Sequence, residues 1–230
     1  MKKVAILQSN YIPWKGYFDI IGAVDQFIIY DEVQFTKNDW RNRNRIKTKN
    51  GIQWITIPVR QMKLSQRISE TEISDKAWRK KNWQTLITNY GKAPNFHTYA
   101  GQFENFYKTF EGSRLSDINL TLIKMICEML GIDTVISNSA NFELVGNPTE
   151  RLVNLCKQVH ADVYFSGPAA KNYLCEDFFT QAGIKVEWME YDHYPEYSQL
   201  YPPFEHRVSI VDLLFNEGEN SVHYIKYGKR

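Results

Sequence analysis

Gln8-Ser9-Asn10-Tyr11-Ile12-Pro13-Trp14-Lys15-Gly16-Tyr17-Phe18-Asp19 follows directly on the apolar run Lys3 to Leu7, and a second apolar run then leads to Tyr30-Asp31. Beyond it stands Lys37-Asn38-Asp39-Trp40-Arg41-Asn42-Arg43-Asn44-Arg45-Ile46-Lys47. Core packing alone has no need of Gln, Asn, Tyr, Trp and Lys in one turn, followed by three arginines alternating with asparagines. The stretch reads as the floor and one wall of a site for an anionic, polyhydroxylated ligand.

Working outward, Val4 to Leu7 is continuous in apolar side chains, as a strand buried on both faces should be. Trp14 to Gly22 predicts a short helix with Phe18 and Ile21 inward, and Gln26 to Tyr30 a second buried strand. Strand, helix, strand in this order predicts a parallel sheet, with ligands outside the carboxyl ends of its strands. Gln8 to Tyr11 and Asp31 fall at such ends. Arg41, Arg43, Arg45, Lys47 and Lys49 alternate with other residues, so an extended chain puts all five on one face. Asn50-Gly51 is a hairpin turn, and Ile52 to Val59 the returning strand. Arg60 to Ser69 reads as a polar, mobile loop.

Three helices follow, from Asp75 or Lys76 to Tyr90, from Tyr99 to Phe110, and from Ser116 to Leu130. Strands at Thr134 to Ser137, Asp162 to Phe165 and Lys185 to Tyr191 alternate with helices from Asn147-Pro148 to His160 and from Glu176 to Gly183. An irregular loop spans Tyr191 to Phe204, and short helices cover Ser209 to Phe215 and Glu219 to Tyr227. The fold class is α/β: a mainly parallel Rossmann-like, nucleotidyltransferase-like sheet with a β-hairpin and an inserted helical segment. Residues 1–230 read as a single domain, with a helical lobe at about 75–131 between the two halves of the sheet.

The formal charge of +2 is too small for a general nucleic-acid binder and predicts no DNA partner. Three widely spaced cysteines argue against a disulfide framework and for a reducing, cytoplasmic setting. No signal-like leader or bilayer-spanning run is present, so no membrane insertion is expected. No metal-ligand spacing, phosphate-cradling glycine loop or other cofactor fingerprint occurs, so neither metal nor cofactor is predicted.

Four groups of residues can carry chemistry. In the first turn, Gln8, Trp14, Lys15 and Tyr17 are candidate ligand contacts, with Asn10 and Tyr11 as donors to an oxyanion. The turn is similar to that of the HxGH nucleotidyltransferases, but Trp14 and Tyr17 stand where those enzymes have histidines, and a phenol is a poor proton donor at neutral pH. In the basic row, Arg43 and Arg45 suit a pyrophosphate, while Asn42 and Asn44 suit hydroxyls or bases. Ser166-Gly167, with Lys171 and Tyr173, forms a strand-to-helix turn that attracts anions. Glu205-His206 and Asp31 supply candidate bases, His206 and Asp31 for proton abstraction and Glu205 as a binding group.

The blocks Gln-x-x-Tyr-x-Pro-Trp-x-Gly-Tyr-Phe, Asp-x-Val-Gln-Phe-x-Lys-x-x-Trp-x-Asn-Arg-Asn-Arg-Ile, Tyr-Phe-Ser-Gly and Tyr-Pro-Glu-Tyr before Pro-Phe-Glu-His together resemble the WbqC-like family. That resemblance implies work in bacterial surface polysaccharide (O-antigen, lipopolysaccharide) biosynthesis. It points to transfer of an aminoacyl or other acyl group onto the amine of a nucleotide-linked amino sugar. The partners implied are a nucleotide sugar and, as one candidate donor, an aminoacyl-tRNA. A nucleotidyltransferase or ATP-dependent ligase, and a non-catalytic nucleotide- or RNA-binding module, are the competing readings.

Overall fold

The computed structural model describes residues 1–228. Lys3–Leu7 forms β1, Lys15–Gly22 α1 and Gln26–Ile29 β2. The basic row enters Arg43–Thr48, β3, and returns through Gly51–Thr56, β4; Val59–Arg60, β5, pairs with Glu72–Ile73, β6. Three helices follow, Trp78–Tyr90 (α2), Phe96–Thr109 (α3) and Leu115–Met129 (α4). The last part of the chain runs Val135–Asn138 (β7), Pro148–Gln158 (α5), Val163–Ser166 (β8), Glu176–Gln181 (α6), Lys185–Trp188 (β9) and Ile210–Glu217 (α7).

The main sheet has the order β7-β2-β1-β8-β9, and every pairing in it is parallel. This is the expected α/β class with Rossmann-like strand order. The order reverses at β1, with β2 on one side and β8 on the other, so the crevice lies at the carboxyl ends of β1 and β8. Burial follows the strand period. Val4, Ile6 and Ile28 pack with Leu155 and Phe179 from α5 and α6, whereas Ala5, Phe27 and Ile29 pack with Phe18 and Ile21 from α1. Trp78, Leu86, Phe103, Ile118 and Leu122 from α2, α3 and α4 join that second cluster. The chain between β2 and β7 thus holds the hairpins and three helices whose apolar stripes share one core with α1.

Some local expectations change. Arg60 to Ser69 is fastened rather than loose: Gln66 is buried, its amide donates to Arg60 O at 2.9 Å and Thr71 Oγ1 at 3.0 Å, and Ile68 is fully enclosed. α2 starts at Trp78 because Asp75 Oδ1 accepts the Ala77 N–H at 2.8 Å, a local turn that competes with helix. The carboxyl-terminal piece, Gly218–Tyr224, is a 3₁₀ turn, and β9 stops at Trp188. The start of α5 is as expected: Asn147 Oδ1 accepts the Thr149 and Glu150 N–H groups, and Glu150 accepts the Asn147 N–H.

Asp212 on α7 ties distant parts together. Its carboxylate is wholly buried and accepts from Tyr90 at 2.9 Å, Tyr197 at 2.7 Å and Gln199 at 2.8 Å. Burial is the largest influence on its pKa, which is raised; the bonds from Tyr197, Tyr90 and Gln199 act against it. Asp212→Ala leaves buried donors without a partner. It is expected to cost about 3 kcal/mol and to lower the melting temperature by roughly 6–12 °C in a calorimetric scan.

Candidate functional site

The loop after β1 is held by buried polar groups. Asp31, just past β2, accepts the Ser9 N–H at 2.8 Å and the Ser9 hydroxyl at 2.7 Å. Asn119 on α4 donates to Ser9 Oγ at 3.0 Å and to Arg41 O at 2.9 Å, which joins the loop to the start of the hairpin. Ile12 has φ of 36°, a left-handed conformation rare for a β-branched residue. It is kept there because Asn44 Nδ2 donates to both Tyr11 O and Ile12 O at 3.0 Å, and Ser209 Oγ to Ile12 O at 2.7 Å. Gly16 is required next: a Cβ there would lie 2.3 Å from the Trp14 ring.

This loop, the hairpin and the segment between β9 and α7 enclose a cavity of about 180 Å³ lined by Asn10, Pro13, Trp14, Trp40, Asn44, Arg45 and Arg207. Two indoles form its walls and two guanidinium groups stand on it. Trp40 continues outward to Trp54 at 5.4 Å between ring centroids, both rings about two-fifths exposed at 40% and 42%. Arg43 lies over the Trp54 ring at 4.1 Å, and Arg45 over Trp40 at 5.6 Å.

Residues 190–208 form a strap without helix or strand pairing along most of its length. Four cations fasten it by donating to its backbone carbonyls: Lys226 to Glu190 at 2.7 Å, Lys15 to Pro195 at 3.2 Å, Lys47 to Pro203, and Arg45 to Arg207 at 2.6 Å. The strap delivers Glu205, His206 and Arg207. Glu205 Oε1 accepts the Arg207 N–H at 2.7 Å, and the His206 ring sits edge-on to Phe204 at 4.5 Å with its Nδ1 buried and unpartnered.

The predicted residues divide accordingly. Asn10, Trp14, Asn44 and Arg45 meet at the cavity. Gln8 stands behind it, its Oε1 accepting from Arg41 at 3.3 Å, and Arg41 also donates to Asn10 Oδ1. Tyr11 belongs to the core instead: it is fully enclosed, with its hydroxyl 2.6 Å from that of Tyr107 and 3.0 Å from Asn82 Nδ2. Tyr17 is buried and donates to Gln8 O at 2.9 Å. Asn42 is buried and donates to Ile57 O at 2.8 Å. Asp31 is enclosed and its oxygens are taken by Ser9, so it positions the loop rather than facing a ligand. Arg43 turns to Asn38 and Trp54. The row of cations does not act as one face, since Lys47 is buried beneath the strap.

Ser166, Gly167, Lys171 and Tyr173, at the end of β8, do not line the cavity; Gly167 faces Tyr191, whose ring lies 5.1 Å from that of Trp14. That turn opens a 3₁₀ segment, Lys171 lies 5.4 Å from the Trp188 ring, and Tyr173 is exposed. Pro13, Trp40 and Arg207 are the three lining residues that the sequence reading did not single out, and the last two bring new side-chain chemistry. Their signal was adjacency, Trp40 heading the Arg/Asn row and Arg207 following Glu205-His206. Among the described residues no group of three or more His, Cys, Asp or Glu is placed to hold a metal ion, and no helix is long and apolar enough to cross a membrane.

Lys15 is nearly inaccessible at 2% exposure, its ammonium 4.8 Å from the Tyr194 ring, 5.4 Å from Tyr197 and 5.9 Å from Phe204. It therefore grips the strap and not a phosphate. Burial lowers its pKa to about 8, against the opposing pull of Asp19, Asp212 and Glu196. His206 is also lowered, by burial first and the Lys15 charge second, which favours its neutral imidazole. For Lys15 the unfolded chain binds more protons than the folded one between pH 8 and its ordinary value, so the Lys15 contribution to stability rises with pH across that window. Wild type is accordingly expected to gain stability relative to Lys15→Met between pH 7.5 and 10, read as a converging or reversing difference in melting temperature. A difference that stays constant with pH would contradict the burial of a titrating ammonium.

A family model described as the WbqC-like protein family matches residues 8–224. The uncharacterized protein Rv1507c of Mycobacterium tuberculosis (strain ATCC 25618 / H37Rv) is 50% identical over 228 residues, covering 99% of each chain. No solved structure matches. The match spans the loop after β1, the hairpin and the strap that together build the cavity, and on that extent the chain belongs to the WbqC-like protein family.

Proposed function

We propose that this protein is a transferase of cell-surface polysaccharide biosynthesis that binds a nucleotide-linked amino sugar and adds an aminoacyl or other acyl group to its amine. The observation that carries the reading is the pairing of two indole walls, Trp14 and Trp40, with two guanidinium groups, Arg45 and Arg207, around one cavity. Indole faces suit the apolar side of a sugar or base, and guanidinium forks suit phosphate oxygens. A cavity of about 180 Å³ accepts one ring and not a whole nucleotide sugar, so the rest of the ligand runs outward along Trp40 and Trp54.

In this reading Arg45 and Arg207 hold the diphosphate. Neutral His206, beside Arg207 in the chain, takes a proton from the sugar ammonium. The freed amine attacks the acyl carbonyl carbon, a C–N bond forms, and the donor's leaving group departs with its bonding electrons and takes up the second proton that the nitrogen sheds. Asn10, whose Oδ1 is held by Arg41, keeps its amide N–H groups for the developing oxyanion. Nucleotidyl transfer has less support: Trp14 and Tyr17 occupy the histidine positions of the similar turn, and the Tyr17 hydroxyl is spent on Gln8 O.

Titration calorimetry with UDP, GDP and dTDP, alone and sugar-linked, tests the placement. Arg45→Ala and Arg207→Ala are each expected to weaken binding about 10- to 100-fold, as the loss of charge-assisted hydrogen bonds implies, while Arg43→Ala changes it little. Unchanged affinity in the Arg45→Ala, Arg207→Ala double variant would remove the diphosphate from this cavity. His206→Gln is expected to retain binding and lose acyl transfer.

A further inference from the structure

A second concavity, separate from the cavity above, opens between the tip of the β3–β4 hairpin and α2. It is a groove of about 720 Å³. The hairpin gives it Thr48, Lys49 and Gln53, and α2 gives it Lys80, Lys81 and Thr85 among others. None of its lining residues is acidic. The two chain segments that bound it, Trp40 to Ser69 and Lys76 to Phe103, contain no Asp or Glu at all, in a chain whose acids nearly balance its bases. Lys49, Lys80 and Lys81 are exposed. Among the described residues, no ion pair involves any of them, although lysines elsewhere pair with carboxylates. The three exposed lysines of the groove are therefore left without a carboxylate partner in either segment that bounds it.

We infer that this groove binds the sugar–phosphate backbone of an RNA. Lysine ammonium groups are point charges suited to successive phosphates. The hydroxyl and amide groups between them, from Thr48, Gln53, Gln84, Thr85, Thr88 and Asn89, match ribose 2′-hydroxyls, which a DNA backbone lacks. No aromatic ring lines the groove, so bases are not stacked there and the recognition is of backbone and shape. Thr48 and Gln53 stand on the hairpin face opposite Arg45 and Trp54. The inference goes beyond the transferase reading and does not depend on it.

The probe is unfractionated tRNA, with binding to the full chain followed by fluorescence anisotropy across a potassium chloride series. Wild type is expected to bind at low salt with a linear log–log salt dependence. The variant Lys49→Ala, Lys80→Ala, Lys81→Ala is expected to bind at least about 30-fold more weakly and to lose about 2 from the salt slope. Lys124→Ala with Lys157→Ala, outside the groove, is expected to leave binding unchanged. The triple variant is expected to melt no lower than wild type, because none of its lysines has a partner to lose, so weaker binding is not explained by unfolding. Failure of wild type to bind tRNA, equal binding by the triple variant, or equal displacement by duplex DNA or heparin would each overturn the inference. Nucleoside-diphosphate affinity in the triple variant is expected to match wild type, which separates this result from the fate of the cavity reading.

Discussion

The left-handed turn at Ile12 is the constraint on which the candidate site depends. A β-branched residue at φ of 36° is a cost on the order of 1–3 kcal/mol that only surrounding structure can sustain. Here it is sustained from β3 by Asn44, from the cap of α7 by Ser209, and by the Tyr11 N–H bonded to Trp40 O at 3.1 Å. The turn sends alternate parts of one short loop to different places. Tyr11 and Ile12 enter the core, while Asn10 before them and Pro13-Trp14 after them line the cavity. Beneath the loop, Asp31 and Asn119 fix Ser9 through buried hydrogen bonds. Strain and buried hydrogen bonds thus coincide at the place where the cationic and aromatic side chains gather.

The strap follows a different logic. Lys15, Lys47, Arg45 and Lys226 could each have been oriented by a carboxylate, but their strap contacts are backbone carbonyls. A carbonyl directs a cation without cancelling its charge. Asp19 and Asp212 still offset part of the charge of Lys15 and Lys47, whereas Arg45 is oriented by the Arg207 carbonyl and has no carboxylate paired to it among the described residues. The arrangement also makes the last wall conditional on the first. Arg207 reaches the cavity only by way of the strap, and the strap is held down by residues of the first turn and the basic row.

Much of the scaffold was legible in the sequence because it rests on local signals. Continuous apolar runs gave the strands of the parallel sheet, and Asn147-Pro148 gave the start of α5. The site was legible only in part, for a physical reason. A polar residue in a turn announces that it needs a partner, but not which partner. Lys15 looked like a phosphate ligand until Pro195, 180 residues away, supplied its acceptor. Tyr11 and Asn44 likewise have their partners in other elements, Tyr107 and Asn82 for the first and the carbonyls of a strained turn for the second. Alternation along β3 correctly separated its two faces, yet it did not show that the strap would bury Lys47. Trp40 and Arg207 become site residues only by long-range closure, which no spacing rule contains.

The near-neutral total charge conceals how unevenly that charge is laid out. α2 begins with Arg79, Lys80 and Lys81 in its first turn, with no acid there and no side-chain cap. Each cation beside the positive end of a helix dipole costs about 0.3–1 kcal/mol. The helix forms regardless, because Trp78, Trp83, Leu86 and Tyr90 are buried along its inner face, and burial of each large side chain contributes about 1.5–3 kcal/mol. Apolar anchoring outweighs the electrostatic penalty several-fold, so the outer face of α2 is free of any duty to stabilise the fold. The dipole would favour replacing those lysines with glutamates, and helix propensity is indifferent between the two. Their presence opposite a hairpin tip that also lacks acids is better accounted for by what that face meets than by what the fold requires.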